Sequence, residues 1–262
     1  MRLTLHIIDA FTDTLFKGNQ AAVILLDSWI DDQLMQNIAS ENNLSETAFL
    51  VLEDNQYHIR WFSPLAEIPF CGHASLASAF VLFKQQVEST YFNFYAKAVG
   101  DFMVIQGDEG YIEMSFPNLA PKAINEIPEA LIKGLSLAPK TVMRSEQAYF
   151  AIYDNELDVY EVEYNSASLT KLAPFDVVVT AHSNNYDFIS RYFWPANGGD
   201  EDPVTGSIHA GLVPYWAEKL NKTSLIAHQA SKRGGLLKCR MAGDRVIVSG
   251  KAVQYLKGEI TV

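Results

Sequence analysis

Cysteine is scarce in this sequence, which has only Cys71 and Cys239 among its 262 residues. Two cysteines are too few for a disulfide framework and fit a reducing compartment. Basic residues are also few, since 20 lysines and arginines stand against 31 acids and give a formal net charge of −11. Nucleic acids and anionic membranes require a basic surface, so neither is an expected partner. No apolar run approaches the length of about 18 residues that a membrane-spanning helix needs.

Familiar cofactor signatures are absent as well. The sequence has no phosphate-binding P-loop and no Gly-x-Gly-x-x-Gly pattern after a strand, and its six histidines are scattered without metal-ligand spacing. The first ten residues, MRLTLHIIDA, alternate like a strand and reach Asp9 too early for the apolar core of a signal peptide. We therefore expect a cytoplasmic globular protein that uses neither a cofactor nor a metal.

What the sequence does contain is an internal duplication. The segments Arg60–Pro64 (RWFSP) and Arg191–Pro195 (RYFWP) lie 131 positions apart, half the length of the chain. Each runs through a polar turn to a glycine and a polar residue, Gly72-His73 or Gly206-Ser207, and then into an apolar run of helical character. The second turn carries three additional residues. Chance similarity of short strings is the alternative, but the shared order of features predicts two related half-domains.

The duplication places a glycine at the start of each central helix. The first turn of a helix leaves backbone N–H groups unpaired and carries the positive end of the helix dipole. If the halves pack about a pseudo-twofold axis, Gly72-His73 and Gly206-Ser207 should face each other across a cleft and bind an anion, most naturally a carboxylate. Taken singly, each glycine-polar pair is also compatible with an ordinary helix start.

The last strand, Val253–Val262, has no counterpart at the end of the first half. It would be left over unless it returns to complete the first lobe. We therefore predict an N-terminal lobe of residues 1–114 with 253–262, a C-terminal lobe of residues 115–252, and an active site in the cleft between them.

Several polar residues are candidates for chemistry in that cleft. Glu46 precedes a buried strand, where a carboxylate should be partly withdrawn from water and suited to exchanging protons, although a capping role is the alternative. Asn19 follows Gly18 and could donate to a ligand or simply form a turn. With His73, Asp202 and Ser207, Glu46 completes a set suited to removing and returning a proton beside a substrate carboxylate. A zinc or thiol-nucleophile site at Cys71 and His73 is the weaker reading, because no third residue nearby would orient the pair.

The chain resembles the PhzF family of phenazine-biosynthesis-like isomerases, which share the diaminopimelate epimerase fold. The resemblance spans nearly the whole sequence. It rests on Asp9-Ala10-Phe11 with Gly18-Asn19, on Asn43-Leu44-Ser45-Glu46-Thr47, on Pro69-Phe70-Cys71-Gly72-His73 and on Glu201-Asp202-Pro203-Val204-Thr205-Gly206-Ser207. It implies an α+β fold of two pseudo-symmetric lobes, each a curved, mostly antiparallel sheet around a central helix. It also implies a homodimer.

The resemblance further implies roles for individual residues. Glu46 matches the family's general acid/base, while Asp202 and His73 match its proton-relay and substrate-contacting partners. The substrate-binding set comprises Asn19, Gly72, His73, Thr205, Gly206 and Ser207. Epimerases of this fold use a thiol at each helix start, and Cys71 matches the first. The second position is Thr205, whose hydroxyl is too weak an acid for that task, so Cys71 is interpreted as a buried packing residue.

We therefore predict a cofactor-independent isomerase of a small carboxylic acid in which Glu46 moves a proton between carbon atoms. An epimerase or racemase with unequal bases is the first alternative. A non-catalytic protein that binds a small carboxylate is the second.

Overall fold

The computed structural model describes all 262 residues and contains eighteen strands, six α-helices and three short 3₁₀ turns. The chain forms two compact units, Met1–Ser115 with Ser249–Val262 and Phe116–Val248. None of the helices combines the length and the apolarity that a membrane crossing needs.

The first unit contains a mixed sheet and two helices. Its strands are β1 (Arg2–Ala10), β2 (Asn19–Leu26), β3 (Glu46–Glu53), β4 (Gln56–Phe62), β5 (Glu67–Ile68), β6 (Tyr91–Ala96), β7 (Gly100–Gln106), β8 (Ile112–Pro117) and the last strand of the chain, β18 (Ala252–Thr261). Its helices are α1 (Asp32–Asn42) and α2 (Gly72–Gln85). The strands are ordered β18-β1-β2-β3-β4-β6-β7-β8, with β5 beside β4, and only the pairs β2/β3 and β4/β6 are parallel.

Helix α2 is the central helix of this unit. Eleven of its fourteen residues are buried, among them small alanines and serines that allow it to approach β1, β2 and β3 closely. The serines are accommodated because Ser75 and Ser78 donate to the carbonyls one turn earlier, of Cys71 and Ala74. Burial on nearly all sides is what its apolar composition predicts.

The second unit repeats this architecture with more and shorter helices. Its strands are β9 (Lys122–Ala123), β10 (Thr141–Arg144), β11 (Ala148–Ile152), β12 (Asp176–His182), β13 (Phe188–Phe193), β14 (Glu201–Asp202), β15 (Ser224–Gln229), β16 (Gly235–Ala242) and β17 (Arg245–Gly250). Its helices are α3 (Glu129–Gly134), α4 (Glu156–Glu161), α5 (Ser166–Leu169) and α6 (His209–Leu220). The strands are ordered β9-β10-β11-β12-β13-β15-β16, with β14 beside β13, and the parallel pairs are β11/β12 and β13/β15.

The two units share one succession of strand pairings, so the predicted duplication is visible in the topology. The repeated arginines have equivalent bonds: Arg60 forms a two-point ion pair with Glu67 of β5, and Arg191 forms one with Glu201 of β14. The three additional residues of the second turn lengthen the separation from seven residues to ten. The predicted α+β class with mostly antiparallel sheets is confirmed.

The two central helices differ at their starts. Gly72 and His73 are the first residues of α2, as the sequence suggests. In contrast, α6 begins at His209, beyond the Gly206-Ser207 pair that the sequence places at the helix start. His209 and Ala210 donate to the carbonyls of Gly206 and Ser207, three residues back, so a tighter turn precedes the α-helix.

Candidate active site

Glu46 and His73 form a buried ion pair in the first unit. Glu46 is the first residue of β3, where it pairs in register with Ala21 of the parallel strand β2. One of its oxygens, Oε2, lies 2.9 Å from Nε2 of His73, and the two side chains are only 10% and 5% exposed. At this distance Oε2 and the ring nitrogen form a close polar contact, which offsets part of the cost of burying the carboxylate.

Asn19 holds the other side of the His73 ring. Its amide nitrogen lies 3.1 Å from Nδ1 of His73, and its amide oxygen accepts the hydroxyl of Ser45 at 3.0 Å. Gly18 sets the position of Asn19, because its φ of +65° is the left-handed region that favours glycine. A Cβ at Gly18 would lie 2.1 Å from the carbonyl oxygen of Ala10. The turn that precedes β2 thus fixes the orientation of the His73 ring.

The charges around His73 determine its protonation. Burial lowers the pKa of His73, but its neighbours Cys71 and Glu46 outweigh this effect and raise that pKa well above the usual value. Burial and the nearby Glu46 raise the pKa of Cys71 to about 11, so this thiol keeps its proton at neutral pH. Because a neutral thiol carries no charge, the Glu46 carboxylate is the anion beside the His73 ring, and it faces Nε2 at 2.9 Å.

Cys71 should be unreactive in the folded protein. Its side chain is buried, and a pKa of about 11 leaves the thiol protonated at pH 7. Cys239 is buried too, and burial raises its pKa. We expect iodoacetamide to modify neither cysteine of the native protein and both after unfolding in urea, as read by mass spectrometry. Rapid modification of Cys71 in the native protein would contradict the packing role and revive a thiol mechanism.

In the second unit, Asp202 and Thr205 are joined directly. The Thr205 hydroxyl donates to the Asp202 carboxylate at 2.5 Å. Gln229, which is fully buried, fixes the backbone of this segment: its amide nitrogen donates to the Asp202 carbonyl at 2.9 Å and its oxygen accepts the Thr205 N–H at 2.8 Å. The only proton of the Thr205 hydroxyl is thus directed at Asp202, which makes Thr205 a poor proton carrier of its own.

Gly206 and Ser207 follow in the turn before α6. The backbone N–H groups of Gly206, Ser207 and Ile208 donate to no acceptor in the chain, as expected for the entry to a helix. The Ser207 hydroxyl oxygen accepts a hydrogen bond from Gln147 at 3.0 Å. The structure thus brings Asn19, Glu46, Gly72 and His73 together in the first unit. It brings Asp202, Thr205, Gly206 and Ser207 together in the second.

His209 anchors the turn from within α6. Its Nδ1 donates to the Thr205 carbonyl at 2.9 Å, whereas Nε2 is buried without a partner. Burial lowers the pKa of His209 to about 4, so the ring is neutral at pH 7. The sequence offered no reason to separate this histidine from the other five.

The lowered pKa of His209 predicts a loss of stability in acid. The unfolded chain takes up this proton near pH 6.5 and the folded chain only near pH 4, so the stabilisation is complete above pH 6.5 and is lost as the pH falls toward 4. The free energy of unfolding should decrease by roughly 3 kcal/mol over that interval from this group alone. Urea unfolding from pH 4 to 7 should show a flatter profile for His209→Gln than for wild type. Parallel profiles would mean that His209 does not titrate in this way.

Comparison with known proteins agrees with this description. Residues 8–258 match the family model described as phenazine biosynthesis-like protein. An uncharacterized isomerase of Halalkalibacterium halodurans is 45% identical over 264 residues, covering 99% of each chain. A crystal structure of a PhzF family phenazine biosynthesis protein from Enterococcus faecalis superposes with a TM-score of 0.95 at 40% identity, covering 100% of both chains.

A more distant likeness concerns the fold alone. A hydroxyproline epimerase from Agrobacterium vitis superposes with a TM-score of 0.64 at 10% identity, covering 99% of this chain and 92% of the epimerase. The epimerase-like fold that the sequence suggested is therefore confirmed. The chain belongs to the family of phenazine biosynthesis-like proteins and, like the relative from Halalkalibacterium halodurans, is an isomerase.

Proposed function

We propose that this isomerase acts on a small carboxylic acid and that Glu46 moves a proton from one carbon atom of the substrate to another. The observation that carries the proposal is the buried Glu46 carboxylate, whose Oε2 lies 2.9 Å from Nε2 of His73. A carboxylate withdrawn from water beside a histidine can accept a proton and return it. General acid/base groups alone suffice for this chemistry, so the proposal requires no cofactor.

The proton transfer balances within the substrate. Glu46 takes a proton from a C–H bond, and the electron pair of that bond forms a new carbon–carbon double bond. An existing double bond of the same framework opens and receives the proton from Glu46 at its far carbon. The substrate is therefore an unsaturated acid, and its formula is unchanged. His73, held by Asn19, lies 2.9 Å from the carboxylate and stabilises its charged form before the first transfer and after the second.

The carboxylate-binding role is proposed for the turn at Gly206 and Ser207. Three successive backbone N–H groups of residues 206–208 are available there, and the dipole of α6 favours negative charge at the same end. Asp202 is proposed as a relay or orienting acid, since Thr205 and Gln229 fix its position. The predicted homodimer and cytoplasmic location stay predictions.

An epimerase with unequal bases is the second candidate. It is favoured by a specific feature, the presence of an acid in each unit, Glu46 and Asp202. A non-catalytic carboxylate binder is less compatible with the structure, because a buried carboxylate would repel an anionic ligand.

Deuterium incorporation separates these functions. A panel of small unsaturated carboxylic acids is first screened by thermal shift, and the acids that bind are incubated with the protein in D₂O and followed by NMR. The proposal predicts an isomer with deuterium at the carbon that gains the proton, diluted if Glu46 shields the original proton from exchange. Deuterium at the original carbon with inverted configuration would indicate epimerisation. Binding without any exchange would overturn the enzymatic proposal.

A further inference from the structure

A chain of polar side chains in the second unit leads from Asp176 to Ser207. The Tyr192 hydroxyl donates to Asp176 at 2.6 Å. The Gln147 amide nitrogen lies 3.0 Å from the Tyr192 hydroxyl and also 3.0 Å from the Ser207 hydroxyl. Asn197 donates to the second oxygen of Asp176 at 2.7 Å. Nothing in the mechanism described above uses Asp176, Tyr192 or Gln147.

The duplication shows what Asp176 corresponds to. Asp176 opens β12 and pairs with Ala148 of the parallel strand β11, just as Glu46 opens β3 and pairs with Ala21 of β2. The two halves therefore place a carboxylate at equivalent positions. The carboxylate of Glu46 contacts the His73 ring, whereas the two oxygens of Asp176 accept hydrogen bonds from Tyr192 and Asn197.

The residues around Asp176 are those in which the second half differs from the first. Tyr192 occupies the position of Trp61, and Ser207 occupies that of His73, in the repeated motifs. Asn197 lies in the second turn, which is three residues longer than the first. Where the first half has the Glu46–His73 pair, the second half thus has a hydrogen-bonded network around Asp176.

Donors and acceptors can be assigned to the hydrogen bonds of this network in only one consistent way. Burial and the neighbouring Asp176 raise the pKa of Tyr192 well above its usual value, so the phenol keeps its proton and donates it to Asp176. The Tyr192 oxygen can then only accept, which requires Gln147 to present its NH₂ group. The second hydrogen of that group is directed at the Ser207 oxygen. The proton of the Ser207 hydroxyl is left free to donate to a ligand.

We propose that Asp176, Tyr192 and Gln147 are positioning residues that fix the Ser207 hydroxyl as a hydrogen-bond donor to the substrate carboxylate. This inference rests on the proposed carboxylate-binding role of the Gly206-Ser207 turn. Without the bond from Gln147, the hydroxyl could rotate among its three staggered positions and would be a donor to the ligand for only part of the time.

A double-mutant cycle tests the inference without a known substrate. Acetate is the probe, acetamide is its neutral counterpart, and binding is measured by saturation-transfer NMR. We expect wild type to prefer acetate and Ser207→Ala to weaken acetate binding roughly tenfold or more, because a hydrogen bond to a charged group is lost. Tyr192→Phe should weaken it about threefold to tenfold through free rotation of the hydroxyl. Added to Ser207→Ala, Tyr192→Phe should have no further effect.

Control variants separate positioning from general damage. Tyr153 is a matched buried tyrosine of the same unit whose hydroxyl donates to the Leu137 carbonyl, so Tyr153→Phe should leave acetate binding unchanged. If Tyr192→Phe fails to fold, Gln147→Leu tests the same network and should behave alike in the cycle. The inference would be overturned if Tyr192→Phe weakened acetate binding equally in wild type and in Ser207→Ala. It would also be overturned if neither Tyr192→Phe nor Gln147→Leu weakened acetate binding.

The test also distinguishes this inference from the proposed function. Acetate binding depends on Ser207 and its network, whereas proton transfer in D₂O depends on Glu46. Equal binding of acetate and acetamide by wild type, with no effect of Ser207→Ala, would overturn the carboxylate role and this inference. In that case, deuterium exchange that depended on Glu46 would still support the proposed proton transfer.

Discussion

Replacing Glu46 by glutamine is expected to slow substrate isomerisation roughly 10²- to 10⁴-fold, the range in which general acid/base groups contribute. The amide keeps the shape of the side chain but cannot accept a proton from carbon. Binding of the substrate carboxylate should be nearly unchanged, because the residue proposed to bind it is Ser207. Stability should change little, since the lost attraction to His73 is offset by the lower cost of burying a neutral amide. Rates of deuterium incorporation and urea unfolding of both proteins measure these effects.

Two further variants show whether the loss is specific to Glu46. Asp202→Asn should reduce the rate less if Asp202 orients or relays, and Cys71→Ala should have little effect because Cys71 is a protonated packing residue. Full activity of Glu46→Gln would make Glu46 a structural acid. The same conclusion would follow if Glu46→Gln unfolded the protein while Cys71→Ala abolished turnover.

Much of the first half of the site was accessible from the sequence. Glu46 could be placed at the entrance of a strand and His73 at a helix start, because periodicity and turn residues mark those boundaries locally. Their contact could not be derived in this way. It depends on the parallel pairing of β2 with β3 and on the position of α2 against both strands, which local patterns do not encode.

The network behind Ser207 was not predicted at all. Gln147 and Asp176 belong to none of the motifs found in the sequence, and Tyr192 was interpreted only as part of the repeated motif. Their contact depends on the register in which β12 pairs with β11 and β13. The duplication contained one usable signal, since each half has an acid at the start of a buried apolar strand, Glu46 in β3 and Asp176 in β12.

The start of α6 shows a limit of a different kind. The helical pattern of the sequence extends to Ser207, but the first bonds of the turn span three residues instead of four, so the α-helix begins at His209. This entry leaves Ser207 outside the helix, where its hydroxyl meets Gln147. Side-chain bonds that fix a helix end are formed with distant residues, and a local pattern cannot show them.

The two arginines of the repeated motif provide the second large prediction. Arg191 binds Glu201 through two bonds and donates to the Val162 carbonyl at 2.8 Å, and the Arg191 and Glu201 side chains are only 13% and 20% exposed. Arg191→Met leaves Glu201 and that carbonyl without their partner. A largely buried carboxylate that loses its cation is strongly destabilising, so the free energy of unfolding should decrease by about 3 kcal/mol.

Arg60→Met is the matched control within the same chain. Arg60 forms the equivalent pair with Glu67 and a further bond to Asp32, but these acids are 44% and 76% exposed, so water can replace their partner. The expected cost is therefore at most about 1 kcal/mol.

Urea unfolding of both variants measures the difference, and the double variant Arg191→Met with Glu201→Leu should recover most of the lost stability because no buried charge remains. Equal costs at Arg60 and Arg191 would show that burial does not decide the strength of this repeated pair. If the double variant were no more stable than Arg191→Met, the lost stability would be due to the unpaired carbonyl of Val162 and not to the unpaired Glu201.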